Sequence, residues 1–225
     1  MNSFSDLSII IPVGPNDLSW HSLLNELTLF GNEIEIIISA CQKQPVDFEL
    51  PKNIKWIQAT QGRARQLNAG AEKSTRKTVW FLHADTQLTV GVGRAIHSYL
   101  DRNDQGLGYF KLKFANDGPR QMQLNAWAAN IRSRHFGLPF GDQGFVMNKS
   151  VFDQLKGFDE SLKLGEDLDF VVRAKFVGIG LHELASELVT SSRRYKQYGW
   201  LSTTMRYVWL TWFLTCQAKQ RVRHT

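Results

Sequence analysis

Cysteine is scarce: Cys41 and Cys216 are the only two in 225 residues. Two thiols cannot build a disulfide framework or a four-ligand zinc site. Long apolar runs are missing as well, and no stretch approaches the roughly 18–20 apolar residues that span a bilayer. No basic leader precedes Leu7–Val13, and that run is too short for a signal-peptide core with its cleavage region. The expected compartment is therefore the cytoplasm. There is no nucleophile elbow, P-loop or His-Glu-x-x-His. Gly91-Val-Gly93-Arg-Ala-Ile96 lacks a third glycine and does not follow the first strand, which excludes a dinucleotide fingerprint. Acidic residues stop at Glu187. Beyond it stand seven basic residues: Arg193, Arg194, Lys196, Arg206, Lys219, Arg221 and Arg223. Taking those seven from 27 leaves 20 against 21 acidic, so the net +6 belongs to the tail and the body carries −1. A nucleic-acid-binding domain spreads Lys and Arg over a folded face, so no nucleic-acid partner is expected.

What is present reads as an ordinary globular chain, with 43% hydrophobic and 21% charged residues. Its length suits one sizeable core. Leu7–Val13 is a short β-branched run, the pattern of a strand buried on both faces. Asp17 can cap a helix running to about Phe30. Further strands are expected at Ile34–Ser39, Ile54–Ala59, Thr78–Leu82 and Gly108–Phe114. Helices are expected from Gly62 to about Ser74, over Arg120–Phe136 and over Leu168–Val177. Strands alternating with helices predict an α/β fold with a mainly parallel sheet covered on both faces.

In such a sheet, ligands bind beyond the carboxyl ends of the strands, where four polar clusters fall or can reach. Gly62-Arg-Ala-Arg-Gln-Leu-Asn-Ala-Gly70 opens a helix. It is either a phosphate site supported by Arg63 and Arg65 or a tight turn with two solvated arginines. His83-Ala-Asp85-Thr86 holds two residues that face one way on an extended chain. They are either metal ligands or a structural pair. Gly141-Asp142-Gln143-Gly144 can hydrogen-bond sugar hydroxyls or simply turn the chain. Gly165-Glu166-Asp167 either suits a helix dipole or supplies a general base.

Taken in order, Ser-Ile-Ile-Ile-Pro-Val, Gly-Arg-Ala-Arg-Gln-Leu-Asn-Ala-Gly, Trp-Phe-Leu-His-Ala-Asp-Thr, Gly-Asp-Gln-Gly-Phe-Val, Lys-Gly-Phe158 and Gly-Glu-Asp167 resemble family 2 glycosyltransferases. The similarity runs over roughly residues 7–195 and is nearest to a small bacterial branch with Leu-His-Ala-Asp-Thr and Gly-Asp-Gln. The resemblance implies a GT-A (Rossmann-like) fold, a nucleotide-diphospho-sugar donor, a divalent cation (Mn²⁺ or Mg²⁺) and inversion at the anomeric carbon. It implies that Asp85, with His83, holds the metal and that Asp167 is the catalytic base. Pro12, Val13, Gly62, Arg63, Arg65 and Asn68 would line the donor site, and Arg193-Arg194 would close over the diphosphate. Asp142, Gln143 and Glu166 would face the acceptor. Two positions depart from the family pattern. His83 replaces the first Asp of its Asp-x-Asp motif, and Ser39-Ala-Cys-Gln42 stands where the family often has an Asp contacting the nucleoside.

These readings divide the chain into a glycosyltransferase domain, 1–199, and a helical appendage, 200–225. In the appendage, Tyr207–Leu214 is nearly apolar, with Trp200 upstream and basic residues behind. Such a segment suits either an anionic membrane interface or a core helix packed on the domain. Two rivals to a glycosyltransferase stay open. One is a sugar-phosphate nucleotidyltransferase; the other is a non-catalytic protein that binds a membrane or a partner.

Overall fold

The computed structural model describes residues 4–46, 48–102 and 106–223, without the Arg223 side chain counted above among the tail's basic residues. The strands are β1 (Leu7–Val13), β2 (Glu35–Ala40), β3 (Ile54–Gln58), β4 (Thr78–Phe81), β5 (Gln87–Leu88), β6 (Leu107–Phe114), β7 (Val146–Asn148) and β8 (Leu181–Thr190). The helices are α1 (Trp20–Leu27), α2 (Arg63–Lys73), α3 (Val92–Leu100), α4 (Met122–Phe136), α5 (Lys149–Gln154), α6 (Glu166–Phe176), α7 (Arg193–Tyr198) and α8 (Trp200–Arg223).

One eight-stranded sheet runs in the order β3-β2-β1-β4-β7-β6-β8-β5. The expected parallel half is present, with β1 pairing in parallel with both β2 and β4, and β2 with β3. Beyond β4 the sheet is mixed: β7 runs antiparallel to β4 and to β6, while β6 and β8 are parallel. Side-chain alternation along β1 explains its near-continuous apolar sequence. Leu7, Ile9, Ile11 and Val13 enter the core under α1 and α3, and Ile10 enters the core under α2, α5 and α6. Each fully buried aliphatic side chain contributes about 1.5–3 kcal/mol. α2 lies very close to β1, because a Cβ at Gly70 would stand 2.4 Å from Ile10.

The helix expected from Asp17 is shorter, and a 3-10 turn at Thr28–Phe30 follows it. The Asp17 carboxylate accepts from the Ser19 N–H at 2.9 Å, so it shapes the turn before the helix instead of capping it. Among the described residues no helix is long and apolar enough to cross a membrane. α8 packs against α6 and α7, and Trp200 donates to Asn125 of α4 at 2.9 Å.

Candidate active site

Three segments converge beyond the carboxyl ends of β1, β2 and β4. Gln66, from the second turn of α2, donates to the carbonyls of Val13 and Ser39 at 2.7 and 2.8 Å. It ties the ends of β1 and β2 together and fixes the start of α2. Val13 is fully buried, with its carbonyl taken by Gln66, and Pro12 beside it is half-buried. Gly62 reaches φ 136° to turn the chain into α2, a value that favours glycine.

From the first turn of α2, Arg63 crosses to the first turn of α6. Its Nε lies 2.5 Å from Glu166 Oε1 and its Nη2 lies 2.9 Å from Asp167 Oδ2. Asp167 Oδ2 also accepts from the Gly141 N–H at 2.8 Å, and Oδ1 from the Leu168 N–H at 2.8 Å. Burial raises the Asp167 pKa, but Arg63 and these two N–H groups outweigh it and hold the carboxyl below its ordinary value. Asp167 is therefore ionised at neutral pH. A carboxylate has about four acceptor directions, and three are occupied among the described residues.

Gly141 is where the segments meet. A Cβ there would stand 3.1 Å from Arg63 Nη2, 3.2 Å from Asp167 Oδ2 and 3.2 Å from His83 Nε2. His83 thus belongs with Arg63 and Asp167. Its burial, followed by the nearby Arg63 charge, lowers its pKa to about 3, so the imidazole is neutral at physiological pH. The segment that carries His83 and Asp85 is not the extended chain expected from the sequence. The Thr86 N–H bonds back to the His83 carbonyl at 3.1 Å, so the segment turns, and the same-face rule for an extended chain does not apply. Asp85 instead lies within the fields of Arg193, Arg194 and Asp17, and burial raises its pKa.

Asp142 sits on the loop between α4 and β7. Its Oδ1 is buried without a hydrogen-bond partner among the described residues. Burial raises its pKa to about 6, although Arg132 and Arg63 oppose the shift. Among the described residues no three His, Cys, Asp or Glu side chains gather to hold a metal unaided. Mg²⁺-type ions, however, are often held by one or two protein carboxylates plus substrate phosphates. The under-compensated carboxylates of Asp85 and Asp142 fit an ion that arrives with a diphosphate.

Several expected contacts are committed elsewhere. Arg65 is exposed and leans towards Glu160 at 3.9 Å. Asn68 donates to the Phe158 carbonyl and accepts the Phe158 N–H, which pins that loop. Gln143 is fully buried, accepting from Ser133 and the Phe140 N–H and donating to the Phe110 carbonyl, so it cannot meet an acceptor. Glu166 is buried and paired with Arg63. Gln143 and Glu166 each satisfy nearby groups that water does not reach, whereas the Arg65 pair is exposed.

The sequence reading missed Arg132. It stacks 3.5 Å over the Phe140 ring, donates to the Leu138 carbonyl and lends its charge to Asp142 and Asp167. Lying mid-helix and away from every motif, it carries no local signal. Asp117 was missed too. It accepts from the Ser191 hydroxyl, the Ser192 N–H and the Ser192 hydroxyl, anchoring the start of α7 and so Arg193 and Arg194.

No family model and no curated protein matches the sequence. Solved structures match its fold. S. aureus TarS 1–349 in complex with UDP-GlcNAc has a TM-score of 0.62 at 17% identity, over 84% of this chain and 59% of that one. The mannosyltransferase PcManGT from Pyrobaculum calidifontis, in complex with GDP-Man and Mn²⁺, has a TM-score of 0.59 at 11% identity, over 82% of this chain and 56% of that one. The chain thus spans less than two thirds of the length of these proteins. The likeness is one of fold, and the GT-A architecture expected from the sequence is the one observed.

Proposed function

We propose that the protein is an inverting, family 2-like glycosyltransferase that moves a sugar from a nucleotide-diphospho-sugar to an acceptor hydroxyl. The observation that carries this reading is the ionised Asp167, held by Arg63 and the Gly141 N–H beside His83, with Asp142 within the field of both Asp167 and Asp85. Two neighbours of this fold bind UDP-GlcNAc and GDP-Man, which supports a nucleotide-sugar donor.

Direct displacement asks three things of the chain. Asp167 takes the proton of the acceptor hydroxyl through its remaining acceptor direction. Arg193 and Arg194 offset the charge that develops on the departing diphosphate. Neutral His83 lies beside Asp167 without adding a second charge there. Asp85, with Asp142 beside it, would hold a divalent cation, which when bound supplies Lewis-acid stabilisation of the leaving group. One displacement with one base inverts the anomeric centre. The nucleotidyltransferase alternative predicts pyrophosphate as product; this reading predicts a nucleoside diphosphate.

The test is a thermal-shift panel of nucleoside diphosphates and nucleotide sugars with and without Mn²⁺ or Mg²⁺. A ligand at 100 times its Kd should stabilise the fold by about 2.7 kcal/mol. Asp85→Ala should abolish the metal-dependent part of the shift. If that part survives unchanged, the metal assignment is wrong.

A further inference from the structure

The helix α8 is built inside out. The face it turns to the domain bears Thr203, Thr215 and Ala218, all buried. The hydroxyls of Thr211 and Thr215 are returned to the carbonyls four residues back, of Tyr207 and Thr211, so this inner face leaves few polar demands. Leu214 lies against Gly165 and Tyr207 against Tyr195 on the domain side, but most of the large apolar side chains lie on the opposite face. Leu201, Met205 and Val208 are each 63% exposed, Trp209 57%, Trp212 66% and Phe213 38%. Trp209 and Phe213 stack with centroids 5.1 Å apart and planes 7° apart, forming an aromatic slab. A core helix does the reverse, burying its aromatic stripe and presenting small polar residues to water. Exposed apolar surface on this scale marks a docking surface.

We propose that this face of α8 seats the protein on the surface of an anionic lipid bilayer, with the helix lying in the interfacial plane. Charge argues for this occupant. Arg206, Lys219 and the neighbouring Lys196 are exposed, and the sequence after Glu187 contains no acidic residue. A second copy brought face to face would set like charges against each other, whereas anionic headgroups complement them. Tryptophan beside basic residues is the composition of an interfacial helix, and α8 is not apolar enough to span. The proposal is independent of glycosyl transfer and stands or falls without an activity assay.

The experiment is co-sedimentation of the full chain with vesicles of phosphatidylglycerol mixed into phosphatidylcholine, against phosphatidylcholine alone, at low and high salt. The wild-type protein should pellet with the anionic vesicles and be released by salt. Brominated acyl chains in those vesicles should quench its tryptophan fluorescence. Arg206→Gln with Lys219→Gln should weaken binding about thirtyfold, and Trp209→Ser with Trp212→Ser at least about tenfold. Melting curves of both double variants establish that they remain folded. No pelleting of the wild type, or equal pelleting with neutral vesicles, overturns the proposal. So does a concentration-dependent dimer, without vesicle binding, that the double Trp variant dissolves, because a second copy would then cover the face.

Discussion

Glu35 and Asp142 are both carboxylates withdrawn from water, near opposite ends of the same parallel strands, and they are treated in opposite ways. Glu35 begins β2. It accepts from the Ser8 hydroxyl at 2.5 Å, from Lys55 at 2.7 Å, and from both the N–H and the hydroxyl of Thr75. Burial alone would raise its pKa, yet these partners lower it to about 2. Asp142, on the loop before β7, keeps an Oδ1 with no partner among the described residues, and burial raises its pKa to about 6. The amino-terminal end of the sheet is electrostatically complete and serves stability. The carboxyl-terminal end is left incomplete at Asp142, as the proposed ligand site requires.

Substitutions at the two ends should separate turnover from stability. The largest effect is expected from Asp167→Asn, which keeps the shape but removes proton affinity. Sugar transfer per folded molecule should fall about 10²–10⁴-fold, with nucleoside-diphosphate affinity nearly unchanged. Turnover close to normal would return Asp167 to a helix-capping role. Glu35→Gln should do the opposite, leaving turnover per folded molecule intact while costing about 2–3 kcal/mol in denaturant unfolding at pH 7. Because the folded pKa of Glu35 is depressed, its contribution is present above about 4.5 and is lost as pH falls towards about 2. The Gln variant should lack that slope.

Gly141→Ala should damage both properties. Its Cβ would press on Arg63, Asp167 and His83 at once, for a cost of about 1–3 kcal/mol together with lost donor binding. Asp142→Asn has the smallest expected effect and the opposite sign. A folded pKa raised from 3.8 to about 6 means that wild-type stability declines as pH rises through that interval. Without added metal at pH 7, the Asn variant should be about 1–2 kcal/mol more stable, because it carries no buried charge there. Its metal-dependent nucleotide binding should be weaker. An unchanged melting temperature across pH 4–7 in both proteins would remove the contrast with Glu35.

The strands most legible in the sequence were those buried on both faces. Runs such as Leu7–Val13 permit no other pattern, and the structure keeps them nearly to the residue. β5 and β7 are two and three residues long, too short for any periodicity. β8 carries Glu183, Ala185 and Glu187 in its interior and pairs with β6 through a register shift, so propensity argued against it. Within the site, residues that share a motif were visible as groups. Their individual orientations were not, because those depend on which neighbour lacks a partner. Asn68 and Gln143 look like ligand contacts in the sequence, but they satisfy loop backbone. Gly141 looks like a simple turn residue, but it is the point where the side chains of Arg63, Asp167 and His83 meet.

The ion pair between Arg63 and Asp167 joins positions 104 apart in the chain. Closing a loop of that length costs about 4 kcal/mol of chain entropy before any contact compensates it. The pair is therefore disfavoured early in folding. It requires the strand and helix that launch Arg63 and, more than a hundred residues later, the helix that begins at Glu166. The geometry around Asp167 is thus expected to form late, and a probe at Gly141 should report completion of the domain while probes in β1 and β2 report its beginning.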